Sequence, residues 1–219
     1  MEIDNFERFS SPSTICIVGP TGSGKSVFAK QFIENTNKMF PKFPPKKILY
    51  CYGIYQPLFE EMEREIPYIT FQHGLPSEEI LNDFASSGDH CLCIIDDLMN
   101  AATKNEDVEL LFTQKSHHMN ISVIFISQNL FNRNKNARTI SLNTHYYILF
   151  KNFRDGQQIK CLARQIYPSC PRSFVYAYED ATRAPYGYLY VNMSPHAAHN
   201  DIRLMSNIFD EDIIVYKCG

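Results

Sequence analysis

The segment "GPTGSGKS", residues 19–26, constrains the fold more than any other stretch of the chain. It fits the pattern G-x-x-x-x-G-K-[ST], a loop that works only between a buried strand and the start of a helix. Its glycines let the backbone curl so that N–H groups converge on a phosphate chain, and the helix N-terminus adds partial positive charge. The flanks comply. "STICIVG" (13–19) reads as a short apolar strand, and residues 24–36 carry Phe28, Phe32 and Ile33 at helical spacing. A chance glycine-rich turn would not need this context. The unit is therefore expected to hold a nucleoside triphosphate on Gly19, Pro20, Thr21, Gly22, Ser23, Gly24, Lys25 and Ser26. Lys25 would reach the β- and γ-phosphates, and the Ser26 hydroxyl would ligate Mg²⁺.

A strand-to-helix unit of this kind needs a sheet to belong to, and the rest of the chain supplies one. Apolar or alternating runs predict strands at 46–53, 68–72, 91–96, 121–129, 145–151 and 186–193. Helical patterns lie between them at 57–65, 77–85 (Ser77 as N-cap), 106–118, 155–167 and 171–181. Strands alternating with helices imply an α/β fold, with a mostly parallel central sheet and helices on both faces. Residues 1–195 form the expected domain, and 196–219 a tail that is loosely ordered or packs on it.

The run "CLCIIDDLMN" (91–100) ends a buried strand in two adjacent acids. A loop that binds a nucleoside triphosphate needs a carboxylate at a neighbouring strand end for the magnesium shell, and Asp96 fits that role through water. Hydrolysis also needs a group to polarise the attacking water. Asp97 is the candidate base, against the plainer reading that it caps the following turn. The strand "VIFISQN" ends in Gln128, which can sense the γ-phosphate and orient the water, or merely bond strand-end backbone. Strands at 46–53 and 68–72 separate Lys25 from Asp96 in sequence, so the acid strand is not expected to follow the loop strand directly. An additional strand between the two is the mark of P-loop proteins that hydrolyse ATP to move things.

Charge narrows the partners. The net charge of −3 excludes a general nucleic-acid coat, so any such contact must be local. "KMFPKFPPKK" (38–47) and "NRNKNAR" (132–138) are basic and free of acids; each reads equally as a solvated loop. Seven cysteines without a CxxC pair, several inside apolar runs, suit small hydrophobes in a reducing, intracellular compartment. No apolar run reaches the roughly 18–20 residues of a membrane span. The N-terminus "MEIDNFERFS" has no signal-peptide character. His117–His118 and His196-x-x-His199 lack nearby acids or cysteines in zinc spacing, so no structural zinc is expected.

Taken together, "IVGPTGSGKS", "CIIDDLMN", "HHMNISVIFISQNLF", "ARTISLNTHYYILFKNFRD" and "IKCLARQIYP" resemble the FtsK–HerA superfamily of P-loop ATPases. More narrowly they resemble the DNA-packaging ATPases of poxviruses and of Polinton-type and adenovirus-like viruses. The resemblance spans roughly residues 13–168. It implies a homo-oligomeric ring, hexamer or pentamer, that hydrolyses ATP with Mg²⁺ to drive double-stranded DNA into a preformed capsid. It implies work at viral assembly sites in the host cytoplasm or nucleus, with a capsid or portal protein as a further partner and no membrane. Carried onto this chain, Gly19 to Ser26 bind nucleotide, Asp96 holds Mg²⁺, Asp97 activates water and Gln128 is the sensor. Many superfamily members have Glu where this chain has Asp97, one methylene longer. The resemblance also calls for an arginine from the neighbouring subunit: Arg138 first, then Arg154 or Arg164. Arg133 and Lys135 would grip DNA phosphates without reading sequence. A small-molecule kinase or transferase, and a nucleotide-gated scaffold, remain alternatives from the residues alone.

Overall fold

In parallel α/β sheets both faces of each strand are covered, so strands read as unbroken apolar runs and successive side chains enter opposite cores. β1 (Thr14–Val18) and β4 (Cys91–Asp96) behave this way along their whole length. Ile15, Ile17, Leu92 and Ile94 enter one core, and Cys16, Val18, Cys91, Cys93 and Ile95 enter the other. The computed structural model describes residues 8–98, 116–130, 135–154, 156–195 and 202–217. Its remaining strands are β2 (Lys47–Tyr52), β3 (Ile69–His73), β5 (Ile121–Ser127), β6 (Tyr146–Phe150), β7 (Tyr188–Asn192), β8 (Leu204–Ser206) and β9 (Ile214–Tyr216). The helices are α1 (Lys25–Glu34), α2 (Thr36–Met39), α3 (Leu58–Glu65), α4 (Glu78–Phe84), α5 (Ser116–His118), α6 (Lys135–Leu142), α7 (Gly156–Ile166) and α8 (Pro171–Ala181).

The nine strands among the described residues form one sheet in the order β3-β2-β4-β5-β1-β6-β7-β8-β9. The strands from β3 to β6 in that order are parallel, and β7, β8 and β9 close the far side antiparallel. The expected α/β fold with a mostly parallel sheet is what forms. The additional strand also lies between the loop strand and the acid strand, but it is β5, from later in the chain. The strands that separate Lys25 from Asp96 in sequence, β2 and β3, are placed outside β4. The segment after residue 195 adds β8 and β9 to the sheet. It is tied down by Arg8 Nε donating to the Ile208 carbonyl at 2.8 Å and Lys38 Nζ to that of Phe209 at 2.6 Å. Lys38, from the first basic segment, thus holds the C-terminal chain.

One segment falls largely outside the described residues, and one departs from the sequence reading. The helix expected at 106–118 lies outside the described residues except for α5. The basic 132–138 stretch is not all loop, because α6 begins at Lys135. Its buried anchor is Ile140, and Tyr147 Oη on β6 donates to the Ser141 carbonyl at 3.0 Å, so tertiary contacts favour helix here. Elsewhere local chemistry decides. The Ser77 side chain accepts from Ile80 N–H at 3.3 Å and caps α4 as expected. Lys30 on α1 bridges Glu61 and Glu65 of α3, which ties the two helices on one face of the sheet. Cys16, Cys51, Cys91 and Cys93 are buried as small hydrophobes, and burial pushes the Cys16 thiol up to about 12. Among the described residues no helix is long and apolar enough to cross a membrane.

Candidate active site

The loop after β1 is shaped by where a side chain cannot go. A Cβ on Gly19 would stand 2.6 Å from both Phe150 Cβ and Ser23 Oγ. Gly22 and Gly24 have φ of +78° and +100°, a region that L side chains rarely adopt. Gly24 is doubly committed, since a Cβ there would also lie 3.0 Å from Tyr186 Cδ1. Gly24→Ala is expected to lose about 1–2 kcal/mol from the left-handed backbone alone. A urea midpoint within error of the unmodified chain would refute this. Gly24 caps α1, so the helix N-terminus opens onto the loop. Lys25 Nζ folds back and donates to the Gly19 and Pro20 carbonyls at 2.7 and 2.9 Å. Burial lowers its pKa, and the charges of Asp96 and Asp97 oppose that shift. The Ser23 hydroxyl is buried without a hydrogen-bond partner, at the floor of the same loop.

Alternation along β4 sends Asp96 into the core beneath α1 and α3, where it is 4% exposed. There Tyr50 Oη donates to its Oδ2 at 2.8 Å. Burial raises the Asp96 pKa; the Tyr50 hydrogen bond lowers it, Asp97 raises it and Lys25 lowers it. Tyr50 was not singled out from sequence. The β2–β4 register, Tyr52 opposite Asp96, makes Tyr50 its diagonal neighbour on one face, and only pairing reveals that. Tyr50→Phe should cost about 1.5–3 kcal/mol, because it removes the donor to a buried charged group. The same change in an Asp96→Asn background should cost clearly less. Equal costs in both backgrounds would mean that the Tyr50 hydroxyl does not act through the charge of Asp96.

Asp97 leaves the strand with φ 54°, which swings its exposed side chain out of the sheet. Gly53 permits this turn, since a Cβ there would meet the Asp97 carbonyl at 2.9 Å. Gln128, just past the end of β5, donates from Nε2 to Asp97 Oδ1 at 3.3 Å. The same strand end grips the loop, with Gly19 N–H donating to the Ser127 carbonyl at 3.2 Å. Leu130 N–H in turn donates to Gln158 Oε1 of α7 at 3.0 Å. The structure thus brings together the loop, Asp96, Asp97 and Gln128 at the C-terminal edge of β1, β4 and β5.

The remaining expected residues are not part of this cluster as described. Arg133 lies outside the described residues, and of Lys135 and Arg138 only the helical backbone of α6 is described. Arg154 is exposed, with its N–H donating to Asn152 Oδ1 at 3.0 Å. Arg164 lines an open groove between α7 and α8 with Lys160 and Arg172. Among the described residues no three His, Cys, Asp or Glu side chains gather to hold a metal by themselves.

No family model matches the chain. It is 28% identical over 148 residues to "Uncharacterized protein V3" of the Sputnik virophage, and it spans 55% of that protein's length. Among solved structures it superposes on B204, the DNA-packaging ATPase of Sulfolobus Turreted Icosahedral Virus, with a TM-score of 0.57 and 12% identity. That match covers 94% of this chain and 98% of B204. It also superposes on the cytoplasmic domain of the type VII secretion ATPase EccC of Thermomonospora curvata, with a TM-score of 0.53 and 14% identity. There the match covers 94% of this chain and 25% of the other. The fold that the sequence resemblance implied is therefore the one observed, and the chain has the P-loop ATPase fold that B204 and EccC share.

Proposed function

We propose that this chain hydrolyses ATP and uses the cycle to move double-stranded DNA, packaging a viral genome into a preformed capsid. The observation that carries the reading is the exposed Asp97 carboxylate held by Gln128 next to a buried acid and a lysine-bearing loop. A phosphotransferase could also use such an acid, to take the proton of its acceptor hydroxyl, so hydrolysis without any acceptor is what separates the two readings. In this reading the loop from Gly19 to Ser26 receives the phosphates, and Lys25 exchanges its loop carbonyls for β- and γ-phosphate oxygens. Ser26 and, through water, Asp96 are the residues that would hold Mg²⁺. One buried carboxylate beside a hydroxyl and substrate phosphates suits an ion that keeps most of its waters. The bound ion would offset charge on the β- and γ-phosphate oxygens. Asp97 takes the proton of the attacking water and Gln128 orients that water.

The DNA and capsid parts rest on the resemblance and on the likeness to B204, a DNA-packaging ATPase. Under the proposal copies of the chain close a ring, hexameric or pentameric, at viral assembly sites in the host cytoplasm or nucleus. Arg138 completes the neighbour's site, and Arg133 and Lys135 touch DNA phosphates. The α6 helix is the next described element after β5, the strand that leads into Gln128, which gives a change at the γ-phosphate a route to it along the chain. The test is steady-state ATP hydrolysis with and without duplex DNA of unrelated sequences at low salt. Stimulation by any duplex supports the motor. Hydrolysis that ignores DNA removes the translocase part, and no hydrolysis without a small acceptor favours a transferase.

A further inference from the structure

Tyr186 is a bulky residue with φ 61°, in the left-handed region that non-glycine side chains avoid. Such backbone persists only where the surroundings over-determine it. Here they do. Gly187 N–H donates to the Ala184 carbonyl at 3.1 Å, and the Gly187 α-carbon is so tightly packed that a Cβ would meet the Ala181 carbonyl oxygen at 2.5 Å. On the other side, the Tyr188 ring packs edge-on against Phe28 of α1 at 4.8 Å. The turn is thus fixed on both sides. Yet the Tyr186 side chain is 71% exposed, so core packing does not account for it.

What the strained turn achieves is a position. β7 runs antiparallel to β6 with Tyr188 opposite Phe150, so the turn before β7 sits at the C-terminal edge of the parallel strands, level with the loop. The Tyr186 ring lies against the α-carbon of Gly24, the N-cap of α1. Asp96, Asp97 and Gln128 lie on the β4–β5 side of β1, and Tyr186 lies on the β6–β7 side. A triphosphate with its γ end toward the acids therefore has its α end, and the nucleoside attached to it, on the tyrosine's side.

We infer that Tyr186 is a stacking platform for the base of the bound nucleotide. This inference rests on the reading of residues 19–26 as an ATP-binding loop. Stacking recognises the π-face and not the base edge, so the platform takes purines generally and gives affinity more than selectivity.

The experiment compares ATP with inorganic tripolyphosphate, which shares the phosphates and lacks the base. Tyr186→Ala should weaken ATP and ADP binding about 5- to 100-fold, the scale of one lost base stack. Its tripolyphosphate affinity should stay within twofold, which also shows that the variant is folded, and Tyr186→Phe should bind ATP like the unmodified chain. The chain contains no tryptophan, so Tyr186→Trp places a single fluorophore on the platform. Its emission should be quenched by ATP and not by tripolyphosphate. If Tyr186→Ala weakens tripolyphosphate as much as ATP, the ring only braces the loop and the inference falls. If ATP affinity is unchanged, it falls as well. A chain that binds neither ligand refutes the nucleotide-loop reading itself, a result distinct from both.

Discussion

Asp97→Asn is expected to bind ATP as the unmodified chain does and to hydrolyse it about 10²- to 10⁴-fold more slowly, the usual contribution of a positioned general base. The substitution isolates the proton-accepting role. Asn tolerates the left-handed backbone that Asp97 adopts at φ 54°, and its amide oxygen still accepts from Gln128. Fold, loop and sensor contact should therefore survive. Single-turnover phosphate release, run beside calorimetric ATP titration, separates the two quantities. A rate within tenfold of the unmodified chain would remove Asp97 from the base role and leave it as the cap of the strand end. Asp97→Glu is the useful companion. It restores the charge one methylene farther out, so partial activity would show how closely the Gln128 contact fixes the distance.

Asp96→Asn should also abolish Mg²⁺-dependent turnover, and it should stabilise the nucleotide-free protein. The carboxylate is 4% exposed, and burial raises its pKa. A folded pKa above the unfolded value of about 3.9 means that the carboxyl favours folding below that value. That contribution is lost as pH rises through the folded pKa. At neutral pH the buried charge is therefore a net burden, which Asn avoids while still accepting from Tyr50. A gain of about 0.5–2 kcal/mol is expected, the usual scale of relieving a residue kept for function. For a chain of this size that is roughly 2–4 °C per kcal/mol in thermal midpoint. The difference between variant and unmodified protein should shrink toward pH 4 and level off once the pH has risen past the folded pKa. A variant less stable at pH 7 would mean that Lys25 and Tyr50 already over-compensate the charge.

The parts of this site that lie in one short segment were legible in the sequence. Gly19 to Ser26 could be read because glycines, lysine and serine must stand at fixed offsets between a strand and a helix. Asp96 and Gln128 could be read because each ends an apolar run, where a polar residue is unusual. The sheet order was not legible in the same way. Nothing local tells β5 to enter between β1 and β4 while β2 and β3 go outside. Tyr50 was missed for the same reason, since its tie to Asp96 depends on a register between strands 46 residues apart. Tyr186 carries no motif, and its significance is a backbone angle together with a neighbour more than 160 positions away in the chain. Helix α6 was hidden by composition. Its basic N-terminal half looks like solvated loop, and among its described side chains Ile140 is the buried apolar anchor.

The Lys25 ammonium makes two charge-assisted hydrogen bonds to its own loop. Under the proposed function, nucleotide capture is a swap of partners for this lysine, and the heat of ATP binding is expected to be modest for so many phosphate contacts. The same economy works in reverse. When the terminal phosphate departs, the Gly19 and Pro20 carbonyls can reclaim the lysine, so the spent nucleotide faces an internal competitor for its strongest cationic contact. Such self-competition trades tight grip for rapid reset, which suits an enzyme that must let go as often as it takes hold.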